Sequence, residues 1–195
     1  MIKSTTYCDI HREAFYESED KIYKMAMEEI HIHELDRREL RFAYYKANDN
    51  GVYKLVVRPL DVTEDELFVI FSEGVKNGLI GDWLYSRIKS IIKTTKIGSP
   101  SKEAFYDTDY CKFYARGSFV EDVDTRYSIE QIFIKDLDRR EVRFAYYKTN
   151  KKGNFQLVPR PLDITEEQFL VVFEKAINEG VFTRVFMAAL EGLFV

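Results

Sequence analysis

Apolar and polar positions alternate in the middle of the first half of the chain, and this alternation predicts extended strands. Leu40, Phe42 and Tyr44 fall on one face of such a strand, because successive side chains of extended backbone point to opposite faces. A turn at 47–51 separates this run from a second alternating run at 53–58. The pattern therefore predicts a β-hairpin.

The apolar period changes to three or four residues after residue 62 and predicts two helices, at 64–77 and 82–95. Thr63 and Glu66 have the spacing of a capping box, in which each side chain accepts a hydrogen bond from the other residue's backbone N–H. Gly78 suits the left-handed conformation that ends many helices. The first helix thus has a start and a stop signal.

The same series of patterns occurs twice. Residues 35–80 return at 137–182 with a constant offset of 102, and 24 of these 46 positions are identical. The second copy repeats the hairpin and the capping signals, and it predicts helices at 166–179 and 184–194. The chain is therefore interpreted as an internal duplication, a tandem repeat.

The duplication predicts an α+β fold made of two similar repeats, 1–97 and 98–195. Each repeat is expected to be an antiparallel β-hairpin or three-stranded sheet, with a further strand at 30–32 and 132–134, followed by two helices. The joint near 96–101 is too short to hold the repeats apart. We therefore expect a packed pseudo-two-fold pair, either a monomeric pseudo-dimer or a homodimer subunit.

A weaker match upstream extends the alignment at a different offset. Residues 13–16 and 103–106 both read Glu-Ala-Phe-Tyr, which is an offset of 90. This match gives repeats of about 90 residues and places an insertion of about 11 residues in the second repeat, within 114–132. Under this alignment Cys8 and Cys111 are not counterparts.

The composition is that of a folded protein with nearly balanced charge. The 195 residues include 29 Lys and Arg against 33 Asp and Glu, a net charge of −4, which disfavours a strongly basic nucleic-acid binder. No apolar run approaches the ~18 residues of a membrane span, and no secretory signal is visible. We expect a cytoplasmic protein without a membrane segment, in which Cys8 and Cys111 are free thiols.

Two matched groups of arginine and tyrosine form the first candidate site, for a ligand or a partner. Arg41, Tyr45 and Arg58 are expected to share the solvent face of the hairpin, where guanidinium groups bind carboxylate or phosphate and tyrosine stacks on a ring. The alternative is a solvated face on which neighbouring acids such as Glu39 and Asp61 neutralise the arginines. The full set is Arg37, Arg38, Arg41, Tyr45 and Arg58, with Arg139, Arg140, Arg143, Tyr147 and Arg160.

The last helix is the second candidate site, because apolar residues surround most of its circumference. Phe186, Leu190 and Phe194 are the residues expected to form a partner interface. The alternative is that the helix is wedged between the two repeats, since a helix that is apolar all round needs burial on several sides.

Signals for catalysis and for metal binding are weak. His31 and His33 have a spacing that can chelate a metal, but no third ligand is visible, so no metal site and no cofactor are predicted. The chain has none of the common nucleophile, phosphate-loop or dinucleotide motifs, so we predict that it is not an enzyme.

The leading functional hypothesis is therefore a non-enzymatic cytoplasmic binding protein, a regulator or inhibitor that acts through contacts with a protein partner. The first alternative is a module that binds nucleic acid or another anionic ligand through the arginine and tyrosine hairpins. Nucleic acid is the less favoured partner because of the negative net charge. The second alternative is an enzyme with an unrecognised site.

Overall fold

A computed structural model describes residues 1–195 as twelve strands in two sheets and four helices. The first half contains β1 (Lys3–Ser4), β2 (Cys8–Glu17), β3 (Tyr23–Ile32), β4 (Arg37–Ala47), β5 (Tyr53–Val56), β6 (Leu60–Val62), α1 (Glu64–Lys76) and α2 (Asp82–Thr94). The second half contains β7 (Tyr106–Asp107), β8 (Cys111–Val120), β9 (Thr125–Ile134), β10 (Arg139–Thr149), β11 (Phe155–Val158), β12 (Leu162–Ile164), α3 (Glu166–Asn178) and α4 (Arg184–Leu193). The α+β class and the repeated order of elements are confirmed. No helix combines the length and the apolar character that a membrane crossing needs.

Local signals in the sequence form the elements that they predict. The capping boxes at Thr63 with Glu66 and at Thr165 with Gln168 both have their two hydrogen bonds. Gly78 follows α1 with φ +73°, a conformation that glycine adopts without the steric cost of a Cβ. Each repeat has more strands than the minimum of three, because short strands flank the long antiparallel ones.

Each half contributes one strand to the sheet of the other half. In the first sheet, β2, β3 and β4 follow chain order, and β12 pairs with β4 through Leu162↔Phe42. In the second sheet, β6 pairs with β10 through Leu60↔Phe144. β5 and β11 pair with the remaining parts of β4 and β10. The halves are therefore joined by a reciprocal strand exchange.

One apolar core lies between the two sheets and the helices, and residues of both halves build it. Phe42 and Phe144, which are related by the offset of 102, stack with ring centroids 4.2 Å apart. Phe71 and Phe173, related by the same offset, are 6.1 Å apart. Equivalent residues of the two halves therefore contact each other in the centre of the core.

The upstream sequence alignment is wrong. Strand pairing places Cys8 opposite Ile32 and Cys111 opposite Ile134, so the two cysteines are counterparts at an offset of 103. The strands β2 and β8, which begin with these cysteines, both have a register shift three residues after the cysteine. The second repeat contains no 11-residue insertion. The Glu-Ala-Phe-Tyr segment at 103–106 precedes β8 and enters the short edge strand β7, whereas its supposed match lies inside β2.

The assignment of Arg41 and Tyr45 to a solvent face is also wrong. Their side of β4 is covered, and both residues are about 95 % buried. The exchanged strand β12 pairs along β4 and brings Asp163 onto Arg41, while Tyr45 donates a hydrogen bond to the buried Glu28. Two-residue periodicity identifies the two faces of a strand, but it does not say which face a distant segment covers.

Candidate functional site

The most deeply buried of the predicted arginines hold the strand exchange together. Arg41 Nε donates to Asp163 Oδ1 at 2.8 Å, and Arg143 Nε donates to Asp61 Oδ1 at 2.8 Å. Each bond joins one half of the chain to a strand of the other half. Burial alone lowers the pKa of both guanidinium groups, but the hydrogen bond and charge of the paired aspartate outweigh it and raise the pKa.

Each of these aspartates also receives an arginine from its own half. Arg58 Nη2 donates to Asp61 at 2.7 Å, and Arg160 Nη2 donates to Asp163 at 2.9 Å. Tyr7 adds a hydroxyl that donates to Asp163 at 2.9 Å. Both oxygens of each aspartate therefore accept hydrogen bonds.

The four remaining predicted arginines bond to neighbours on their own sheets. Arg37 donates to Glu39 at 2.6 Å, and its counterpart Arg139 donates to Glu141 at 2.7 Å. Arg38 bonds Glu29 and Arg140 bonds Gln131, each at 3.0 Å. The structure therefore does not bring the eight arginines together in one place.

The two predicted tyrosines are hydrogen-bonded to buried glutamates. Tyr45 donates to Glu28 at 2.5 Å, and Tyr147 donates to Glu130 at 2.7 Å. In each glutamate the second oxygen is buried without a hydrogen-bond partner. Burial raises the pKa of Glu28 to about 7.

The structure places the predicted interface residues of the last helix inside the core. Phe186, Leu190 and Phe194 are at most 4 % exposed. Phe194 contacts Phe71 and Tyr85, which belong to helices of the first half. The helix is thus wedged between the repeats, which is the alternative that its all-round apolar pattern allowed.

A cleft of about 1050 Å³ opens beside strands β8 to β11 of the second half, and Arg58, Pro59 and Asp61 of the first half also line it. Among the predicted site residues, Arg58, Arg143 and Tyr147 line it. Arg116 and Arg126 also line it, and neither was predicted from the sequence. Six aromatic side chains contribute to the lining: Phe105, Tyr106, Tyr110, Phe113, Tyr147 and Phe155.

Arg126 is the one arginine of this cleft without a carboxylate. Its guanidinium lies close to the rings of Tyr147 and Phe155, with its central carbon 4.4 and 4.5 Å from the ring centroids. Its Nε is buried and has no hydrogen-bond partner. Burial and the nearby charge of Arg116 lower its pKa. The charge of Arg126 is thus held in place but not neutralised.

The cleft as a whole carries an excess of positive charge. Arg116 Nε donates to Glu130 at 2.6 Å, while Asp61 accepts hydrogen bonds from both Arg58 and Arg143. The four arginines that line the cleft therefore share two carboxylates. This surplus belongs to a chain whose net charge is −4.

The corresponding place in the first half is neutralised by its own residues. Strand register makes Glu13 the counterpart of Arg116 and Lys24 the counterpart of Arg126. Lys24 Nζ lies 2.7 Å from Glu13, and both side chains are mostly buried. The ring of Phe15 also lies over Lys24, at 5.3 Å. The two halves therefore differ in charge at the same structural position.

Sequence reasoning missed Arg116 and Arg126 because of the wrong upstream alignment. With the offset of 102 continued through β9, Lys24 matches Arg126; with 103 in β8, Glu13 matches Arg116. A substitution of Glu by Arg at equivalent positions is the signal that would have revealed the asymmetry.

The histidines and cysteines have other roles. His31 Nε2 lies 3.1 Å from Asp36, and His33 Nε2 lies 3.2 Å from Asp9. No group of three or more His, Cys, Asp or Glu side chains has the arrangement of a metal site. Both cysteines are buried free thiols, and burial raises the pKa of Cys111, which lines the cleft.

Comparisons with protein-family models, with curated proteins and with solved structures find no match to this chain. Any function proposed for it therefore rests on the geometry of its own residues.

Proposed function

We propose that the protein is a non-enzymatic binding protein that holds an anionic ligand in the cleft of its second half. The observation that carries this proposal is the unpaired Arg126 guanidinium close to Tyr147 and Phe155. Two rings lie within 4.5 Å of this guanidinium and no carboxylate bonds it, so its terminal Nη groups are left for a ligand. Such a planar fork binds carboxylate or phosphate through two parallel hydrogen bonds.

The energetic reason is the cost of an unpaired charge away from water. A half-buried cation beside a second cation loses hydration and gains repulsion. An anion bound to Arg126 offsets both the lost hydration and the repulsion. Charge-assisted hydrogen bonds contribute about 1.5–3 kcal/mol each, so their loss lowers affinity by about 10- to 100-fold.

The titratable groups of the cleft favour binding over catalysis. Both oxygens of Asp61 accept hydrogen bonds from Arg58 or Arg143, so neither is free to reach a proton of a substrate as a general base must. Cys111 has a raised pKa, whereas a nucleophilic thiol needs a lowered one. These features support a cleft that holds its ligand unchanged.

The hypothesis of a regulator that acts through protein contacts stays a prediction. A partner that binds Phe186, Leu190 and Phe194 would first have to pull α4 out of the core, which costs about 1.5–3 kcal/mol for each large apolar side chain exposed. The anionic-ligand hypothesis needs no such rearrangement.

The test is calorimetric titration of the full chain with phosphate, sulfate, citrate and mononucleotides at low and high salt. We expect at least one of these anions to bind, with weaker binding at high salt because the Debye length shortens. Arg126→Gln should weaken binding by about 10- to 100-fold. Arg38→Gln is the matched control, since it removes the same charge from an exposed arginine of the first half.

Either of two results would contradict the proposal. The first is that no anion of the panel binds the intact chain, and the second is that Arg126→Gln and Arg38→Gln weaken binding equally. The second result would mean that only the overall charge matters.

A further inference from the structure

The residues that line the cleft divide into two sets when they are compared with the first half. Arg58, Arg143 and Tyr147 have identical counterparts and take part in the strand exchange or bond a buried glutamate. The second set differs between the halves and includes Phe105, Tyr106, Arg116, Arg126, Asn154 and Gln156, where the first half has Ile2, Lys3, Glu13, Lys24, Val52 and Lys54. The residues shared by the two halves have a structural role in the fold. The residues that differ take no part in the strand exchange, so they are the ones that give the cleft its own chemistry.

The differing set places exposed aromatic rings next to the arginines. Phe105 and Tyr106 are about half exposed, and both rings contact Phe113, at 6.2 and 5.4 Å. The guanidinium of Arg116 lies 5.2 Å from the ring of Phe105. A flat ligand ring can stack on these faces, and one base stacked on an aromatic side chain contributes about tenfold in affinity.

The charge of the cleft fixes the other part of the ligand. Four arginines against Asp61 and Glu130 leave an excess of two positive charges. A phosphate monoester carries about −1.5 to −2 at neutral pH and offers three acceptor oxygens. It therefore matches both the surplus and the two arginines, Arg116 and Arg126, that the first half lacks.

We infer that the ligand is a phosphorylated compound with a flat aromatic ring, of which a nucleoside monophosphate is the common type. This inference rests on the proposed function, because it names the class of anion that the cleft takes. The phosphate lies on Arg126 and Arg116, and the ring stacks on Phe105 and Tyr106. The amides of Asn154 and Gln156, which also line the cleft, offer donors and acceptors to the edge of the ring.

A single nucleotide fits better than a nucleic-acid strand. A strand needs a continuous positive track, since its affinity comes largely from repeated phosphate contacts. Here the Glu13–Lys24 pair neutralises the equivalent place in the first half, and the whole chain is acidic. The surplus of positive charge at this structural position therefore occurs in one half only.

The test compares four probes by calorimetric titration of the full chain: adenosine 5′-monophosphate, ribose 5-phosphate, adenosine and inorganic phosphate. We expect the nucleotide to bind at least about tenfold more tightly than each of the others, because it alone has both the ring and the phosphate. Phe105→Ala should reduce this preference over ribose 5-phosphate and leave ribose 5-phosphate binding unchanged.

A double variant tests the role of the arginines without a new arrangement of side chains. The double variant Arg116→Glu with Arg126→Lys reproduces the Glu13–Lys24 pair of the first half in the second half, where the equivalent strands hold the two positions side by side. We expect it to unfold at a temperature close to that of the wild type and to lose at least tenfold in nucleotide affinity. Unchanged nucleotide affinity in this folded variant would overturn the inference.

The other outcomes separate this inference from the proposed function. Equal affinity for the nucleotide and ribose 5-phosphate would contradict the inference that the ligand has an aromatic ring, and it would leave the proposal of anion binding intact. Binding of citrate without binding of any phosphate compound would contradict only the inference that the ligand is phosphorylated. Tighter binding of a single-stranded oligonucleotide than of the mononucleotide overturns the choice of a small ligand. If no probe and no anion binds, both proposals fail.

Discussion

The strand exchange predicts that Asp163 stabilises the fold far more than a surface acid does. Asp163 is about 93 % buried and accepts hydrogen bonds from Arg41, Arg160 and Tyr7. The variant Asp163→Asn keeps the shape of the side chain but removes its charge. It removes the carboxylate that is hydrogen-bonded to the buried Arg41 and leaves this arginine only the more distant Glu28, at 3.9 Å, so most of the loss comes from a poorly compensated charge.

The magnitude follows from the burial of the pair. Removal of one partner of a buried ion pair costs about 3–5 kcal/mol. An exposed pair such as Arg38 with Glu29 contributes about 1 kcal/mol or less, and the side chain of Arg38 is 72 % exposed. Since small proteins are stable by about 5–15 kcal/mol, Asp163→Asn should remove a large share of the total.

Urea unfolding followed by circular dichroism measures this difference. We expect the midpoint of unfolding to fall strongly for Asp163→Asn and slightly for Arg38→Gln, with a single transition, because the two halves share one core. If the two variants lost the same stability, the ion pair of the exchange would not be what joins the halves. Two separate transitions in the wild type would refute the shared core.

Three further predictions follow from buried or exchanged groups. The pKa of Glu28 is raised to about 7 in the folded state, so the folded state holds a proton there that the unfolded state releases from about pH 4.5 upward. The stability from this group is complete below about pH 4.5 and is lost as the pH rises through about 7; Glu28→Gln should abolish this fall in urea titrations at pH 5 and pH 8. Gly117→Ala should cost about 1–3 kcal/mol in thermal unfolding, because its new Cβ would lie 2.2 Å from the backbone nitrogen of Ala176, whereas Gly81→Ala meets nothing within 4 Å and should cost less. The isolated segment 1–97 should form a homodimer in light scattering, since the short strand after its hairpin can complete the sheet of a second copy; a folded monomer would contradict the exchange.

Elements with local causes could be predicted from the sequence. The capping boxes at Thr63 and Thr165 and the positive φ of Gly78 and Gly180 act within a few residues, so α1 and α3 end within one or two residues of their predicted bounds. The hairpins follow from two-residue alternation for the same reason. These signals do not depend on how the halves meet.

Features that depend on distant segments could not be predicted in this way. Leu60–Val62 and Leu162–Ile164 have almost the same sequence, so nothing local says whether each pairs with its own half or with the other. The choice fixes whether Arg41 meets Asp61 of its own half or Asp163 of the other half. The same reason explains the cleft, because the equivalence of Glu13 and Arg116 is visible in the strand register and hidden in the residue identities.

The exchange also explains how one chain can have a one-sided cleft. The residues that hold the halves together, Arg41 with Asp163 and Arg143 with Asp61, must stay matched, because each strand carries the partner of the other. Positions 13 and 116 take no part in these bonds. A homodimer of identical subunits would carry the same residue at both places, whereas a duplicated chain can neutralise one place and leave the other positive. Two similar halves in one chain thus make a single asymmetric cleft compatible with a nearly symmetric frame.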